Sequence, residues 1–157
     1  MELDQITAEI LDASIRIHER YGPGLLESVY ERLLTRELLR RGLAVERQKA
    51  VPLEIDGIGF DEAFRLDLLV ERAVVVEIKA VDRFAPSHWK QVLTYLRLLD
   101  LRVGLLINFS GETLLEGYKR VVNRYPDSAS RRLRVKRHSD AETVEDRSEP
   151  TPPAAPA

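Results

Sequence analysis

The 157-residue chain contains no cysteine, which excludes disulfides and thiolate metal sites and leaves oxygen groups and three histidines to hold any metal. Such donors favour a hard cation, magnesium first. No apolar run approaches the roughly 20 residues needed to span a bilayer, and the opening Met1-Glu-Leu-Asp-Gln5 lacks the basic and apolar regions of a secretory signal. A cytoplasmic protein with no membrane partner is therefore expected. No internal repeat is visible. Neither sign of charge dominates, since 24 bases face 26 acids and the net charge is -2, which argues against a protein that coats nucleic acid without specificity. The balance is uneven along the chain: residues 137 to 157 carry five acids against Arg137 and Arg147, leaving 22 bases and 21 acids before them. Charge alone selects no partner, and a homo-oligomer is left open without being indicated.

What is present suits one compact domain, because a chain this long with 44% hydrophobic residues can bury a core. Residues 4 to 20 place Ile6, Ile10, Ala13, Ile15 and Ile17 at near-helical spacing, and Tyr21-Gly-Pro-Gly24 stops that helix. A second helix is expected over residues 25 to 41, with Leu26, Val29, Tyr30, Leu33, Leu34 and Leu38 inward and Gly42 as its cap. On it Glu27 falls between core positions, whereas Glu31 and Arg32 fall on the polar face. The period then changes to two, giving a strand over residues 45 to 55, a turn at Asp56-Gly57, and a longer strand from 58 to 70 interrupted near Gly59, Asp61 and Glu62.

Pro86 begins a helix to about residue 99, with Gln91 and Tyr95 aligned four residues apart. His88 and Trp89 read as packing residues at its start. Residues 103 to 109 form a continuous apolar run, as expected for a strand buried on both faces and joined through a helix to an earlier parallel strand. Asn108 within it reads as a satisfied core polar group. Residues 111 to 124 fit a helix or an edge strand. From residue 125 the core signals end, so residues 1 to 124 are expected to form the domain. The basic run 131 to 137 reads as a solvated extension or a phosphate-contacting arm, and the acidic, proline-rich end as disordered.

The chemistry concentrates in Phe64-Arg-Leu-Asp-Leu-Leu-Val-Glu-Arg-Ala-Val-Val-Val-Glu-Ile-Lys79. Two apolar runs joined at Glu71-Arg72 read as an antiparallel pair. Glu77 and Lys79 share one face with Val75, while Val74, Val76 and Ile78 fill the other; by the same count Asp67 shares a face with Arg65 and Leu69. In suitable register, Asp67, Glu77 and Lys79 form a cluster of two acids and a base. Two carboxylates suit a magnesium ion that keeps its other positions for water and phosphate, and the lysine suits a water to be oriented or a charge to be stabilised. The competing reading is a structural salt-bridge group at a strand end.

Asp67 followed by Glu77-Ile78-Lys79, within an α-β-β-β-α-β order, resembles the PD-(D/E)XK nuclease superfamily, although Leu66 stands where a proline precedes the aspartate in the superfamily's name. Gly24-Leu-Leu-Glu27-Ser-Val-Tyr30, Arg65-Leu-Asp67, Gln91 with Tyr95, and Leu105-Leu-Ile-Asn-Phe109 are similar to the family named GxxExxY. The resemblance implies a restriction-endonuclease-like α/β fold in three layers, a mixed central sheet flanked by helices, and magnesium-dependent hydrolysis of nucleic acid, DNA ahead of RNA, with manganese as a substitute. It further implies metal ligation by Glu27, Asp67, Glu77 and the Ile78 carbonyl, and catalytic roles for Asp67, Glu77, Lys79, Gln91 and Tyr95. The alternative kept beside it is a catalytically silent module of the same fold that binds nucleic acid or protein.

Overall fold

A computed structural model describes residues 1–124; the basic run 131–137 and the acidic end lie outside the described residues. The elements are α1 (Leu3–Tyr21), α2 (Glu27–Arg40), β1 (Val45–Ile55), β2 (Ile58–Val70), β3 (Val74–Lys79), α3 (Pro86–Leu98), β4 (Val103–Asn108), a 3-10 turn (Leu115–Gly117) and β5 (Tyr118–Val122). The five strands form one sheet in sequence order, with β3 and β4 parallel and every other pair antiparallel. Helices α1 and α2 cover one face: Ile6, Ile10, Ala13 and Ile17 make a single buried stripe that packs with Leu34 and Leu38 over Leu68, Val74, Val76 and Ile78. The other face receives α3, whose Val92, Tyr95 and Leu96 pack on Val51, Val75 and Leu106. This is the three-layer α/β fold with a mixed sheet that the sequence implied.

Local chemistry explains the joints. Asp56 and Gly57 both have positive φ, 51° and 78°, which fits a two-residue turn closing the β1–β2 hairpin at Ile55↔Ile58. Glu71 and Arg72 also have positive φ, 52° each, and the Ala73 N–H returns to the Val70 carbonyl at 3.0 Å, so the expected tight β2–β3 connection is present. Where β2 was expected to be interrupted, the β1–β2 register shifts between Val51 and Leu53. Pro52 lies at that shift and has no N–H to give the ladder. All six residues of β4 are buried and pair with β3 in parallel. The ambiguous segment after it resolves into the short 3-10 turn and the edge strand β5.

Two expectations require correction. Helix α2 begins at Glu27, not near residue 25, because the preceding loop stays extended through Leu26, the N-cap residue. Leu26 and Val29, expected inward, are 73% and 37% exposed. The phase of the helix also reverses the expected placement of its acids: Glu31 is buried at 5% exposure and Glu27 is exposed. The second correction concerns β2. Leu68 and Val70 pack under α1 and α2, but Leu66 packs on the α3 side, so simple alternation fails at Asp67.

Candidate functional site

Strands β2 and β3 pair only over Leu68↔Val76, Leu69↔Val75 and Val70↔Val74, and beyond Leu68 they part. Asp67 fills the fork. Its Oδ2 accepts the Ile78 backbone N–H at 2.8 Å, a side chain supplying the acceptor in place of a ladder carbonyl. In an extended strand the N–H and C=O of one residue point to the same edge, so the Ile78 carbonyl also faces this fork. Asp67 thus leaves the face expected from alternation with Arg65 and Leu69 and lies between the strands.

Glu77, 4% exposed, follows the expected face, toward α3 with Val75. Its Oε1 accepts from Lys79 Nζ at 3.1 Å, while its Oε2 is buried with no hydrogen-bonding partner. Burial pushes the Glu77 carboxyl up to about 7; the nearby Asp67 charge adds to the rise, while Lys79 and the Asp67 backbone N–H, which approaches the carboxylate without the geometry of a full hydrogen bond, oppose it. Burial also raises Asp67, opposed by the Ile78 N–H, with Glu31 and Glu27 adding like-charge repulsion. Lys79 is largely buried beside Glu77. The expected cluster of two acids and a base is therefore assembled.

From α3, Gln91 Nε2 donates to the Tyr95 hydroxyl at 2.6 Å, which confirms that this aligned pair is in contact, and the hydroxyl lies 3.3 Å from the Arg65 carbonyl. Tyr95 is buried edge-on to Phe64, with ring centroids 5.6 Å apart. Burial pushes its phenol up to about 12, with the Glu77 and Asp67 charges adding to the rise. Tyr95 is thereby neutral at ordinary pH and serves as a hydrogen-bonding group, not a base.

Glu27 reaches the same region by another route. Its Oε1 accepts the Ala80 N–H at 3.1 Å, just past the end of β3. What places it there is Tyr30, whose hydroxyl donates to the Gly22 carbonyl at 2.7 Å and accepts the Leu25 N–H at 3.2 Å. The Tyr30 ring stacks on Phe109, 4.3 Å between centroids and 9° from parallel. Gly24 sits in this clasped loop at φ 106°, a conformation side chains rarely adopt. The glycine, glutamate and tyrosine at residues 24, 27 and 30 thus act as one mechanical unit: bend, contact and clasp. At the same end of β3, Asn108 Oδ1 accepts the Val81 and Ser110 N–H groups and its Nδ2 donates to the Val81 carbonyl, so it is a satisfied buried polar group that ties down the chain after Lys79. His88 accepts the Ala85 N–H and secures the start of α3, while Trp89 is 40% exposed at that helix end.

An open cleft of about 540 Å3 is lined by Leu25, Leu26, Glu27, Glu31, Gln48 and Asp67, among others. Glu31 and Gln48 were not singled out in the sequence. The four-residue spacing from Glu27 to Glu31, which puts both on one flank of α2, was the available signal. Among the described residues, no group of three or more His, Cys, Asp or Glu is gathered to hold a metal by itself. The donor set that fits a cation is smaller: the partnerless Glu77 Oε2, the Asp67 carboxylate and the Ile78 carbonyl, with Glu27 at the cleft wall. A hard cation bound by two carboxylates and several waters needs no more.

A model of the PD-(D/E)XK nuclease superfamily matches residues 4–121, most of the chain and every described element. The chain belongs to the PD-(D/E)XK nuclease superfamily. No curated protein and no solved structure shows a match. The matched span includes the whole of β2 and β3, and with them Asp67, Glu77 and Lys79. PD-(D/E)XK nucleases generally use divalent metals and act on nucleic acid, and no helix among the described residues is long and apolar enough to cross a membrane.

Proposed function

We propose that the chain is a magnesium-dependent nuclease that hydrolyses DNA phosphodiester bonds, with Asp67, Glu77 and Lys79 at the reacting centre. One observation carries the reading: Glu77 keeps a buried carboxylate oxygen without a partner beside a second carboxylate. A lone buried acceptor and two adjacent like charges are costly in a fold that gains nothing from them, and a divalent cation relieves both. When bound, that cation offsets charge on the phosphoryl oxygens and acidifies a water.

The chain's own groups do the rest. Asp67 and Glu77, with the Ile78 carbonyl, form the ligand edge, and the Ile78 N–H orients Asp67 from behind. Lys79 Nζ, anchored on Glu77 Oε1, orients the attacking water or stabilises negative charge developing on the phosphate. Gln91 and Tyr95 hold the α3 side of the site, and their polar tips contact water or substrate there. Glu27 completes the cleft wall nearest Asp67. The clasped loop at residues 24, 27 and 30 supports placing the chain in the GxxExxY branch.

The test is an incubation of labelled single-stranded DNA, duplex DNA and RNA with the purified protein, with and without magnesium. Cleavage of DNA with magnesium, replaced in part by manganese and abolished by chelation, is the expected result. Binding without cleavage under every condition would favour a silent binding module instead, and cleavage of RNA alone would overturn the DNA assignment.

A further inference from the structure

Gln48 is an unusual residue for a strand. Its φ is 47°, left-handed for a residue with a full side chain. Its neighbours Arg47 and Lys49 remain paired with Leu68 and Leu66, which makes Asp67 the residue opposite Gln48, yet these two form no ladder pair. Such backbone conformations cost on the order of 1–3 kcal/mol and persist where the surroundings fix them. The surroundings here are two carboxylates. Gln48 Nε2 donates to Glu31 Oε2 at 2.7 Å and lies 3.4 Å from Asp67 Oδ1. Because both neighbours are acceptors, only the NH2 group of the amide suits this position, and both its hydrogens are used. Glu31 is in turn anchored by Arg47, whose Nε reaches Glu31 Oε1 at 3.0 Å. With the Ile78 N–H on Oδ2, both oxygens of Asp67 are oriented from the protein side.

We propose that Gln48 is a positioning residue for Asp67: its left-handed backbone turns the amide between Glu31 and Asp67 and fixes the angle at which the Asp67 carboxylate faces the fork. The consequence for metal binding rests on the nuclease reading, whereas the fixing of Asp67 does not. Residues that orient a ligand in this way are typically worth about 10- to 100-fold in metal affinity or activity. The break in alternation at Asp67 lies directly opposite this left-handed residue.

Two variants separate side chain from backbone. Gln48→Gly relieves the positive φ and removes the amide, and Gln48→Leu keeps bulk without donors. Amide hydrogen exchange of Ile78 in the metal-free protein reads whether Asp67 is held, and calorimetric magnesium titration with cleavage kinetics reads the consequence. In Gln48→Gly the Ile78 amide is expected to exchange ~10-fold faster relative to Val76. Magnesium affinity should fall ~10-fold or more, with kcat reduced and KM for DNA little changed, and the protein remains folded, relief of the positive φ offsetting part of the lost bond to Glu31. Unchanged Ile78 exchange in both folded variants would overturn the inference, as would a Gln48→Gly protein whose exchange increases everywhere alike. If the wild type itself takes up no magnesium, the nuclease reading fails, and the Ile78 exchange alone then decides whether Gln48 holds Asp67.

Discussion

Asp67 Oδ2 accepts the Ile78 N–H at 2.8 Å at the point where β2 and β3 separate, so a side chain of one strand ends the backbone ladder of the next. The bond predicts a split between stability and activity. Asp67→Asn retains a carbonyl oxygen for the Ile78 N–H but turns an NH2 group toward the Gln48 donor, so it should lower the thermal midpoint less than Asp67→Ala does. Asp67→Ala leaves that buried donor unpaired, at a cost of about 1–3 kcal/mol offset in part by removal of a buried charge. Both variants should lose DNA cleavage. Thermal melts alongside a cleavage assay check this, and a cleaving Asp67→Asn protein would remove Asp67 from the reacting centre.

Glu77 predicts a pH dependence. In the fold its carboxyl sits near 7, against about 4.5 for an ordinary glutamate, so the folded chain binds more protons than the unfolded chain between these values. The stability this provides is present in full below about 4.5 and is lost as pH rises through 7. Glu77→Gln, which cannot ionise, should therefore gain on the wild type across that window and hold a constant advantage above it, on the order of 3 kcal/mol at most. Melts from pH 4.5 to 8.5 without metal test the sign. Saturating magnesium, by favouring the ionised carboxylate, should close the gap by stabilising the wild type alone.

The Tyr30 hydroxyl predicts action at a distance. Tyr30→Phe keeps the stack on Phe109 but releases the Gly22 carbonyl and the Leu25 N–H. A loss of about 1–3 kcal/mol in urea unfolding is expected, together with lower cleavage as Glu27 loses its fixed approach to Ala80. Full activity in Tyr30→Phe would show that the clasp serves stability alone.

Tyr95→Phe removes the contacts to Gln91 and the Arg65 carbonyl while keeping the edge-on ring against Phe64. Because the phenol is neutral at ordinary pH, the variant should lower kcat without altering the shape of the pH–rate profile. A change in that shape would assign Tyr95 a proton-transfer role.

Much of this site was legible in the residue pattern because it depends on strand periodicity. Val74, Val76 and Ile78 against Val75 and Glu77 fixes which face each side chain takes, and the apolar run after α3 requires a strand buried within a parallel pair. Gln91 and Tyr95, four apart on a helix, had to touch. What stayed hidden depends on phase and on backbone conformation. Glu27 and Glu31 exchange burial because the buried face of α2 is the Tyr30, Leu34 and Leu38 row with Glu31 and Thr35 beside it, and not the stripe through Leu26, Val29 and Leu33 that the apolar residues suggested. Gln48 reads as one more residue of an alternating strand; nothing in its neighbours announces a positive φ. Asp67 was singled out for its carboxylate and assigned to a face, whereas it occupies the gap between two strands.

The central claim is that the Asp67–Glu77 fork is a metal-dependent hydrolytic centre. The most direct measurement is the cleavage rate of labelled DNA in magnesium by wild type and by Glu77→Gln, whose folded state is verified by its melt. A wild-type rate that depends on magnesium and falls at least ~100-fold in Glu77→Gln, the scale of a lost electrostatic contact to the reacting group, is the predicted result. Equal rates in the two proteins, or a wild-type rate unaffected by chelation, would contradict it.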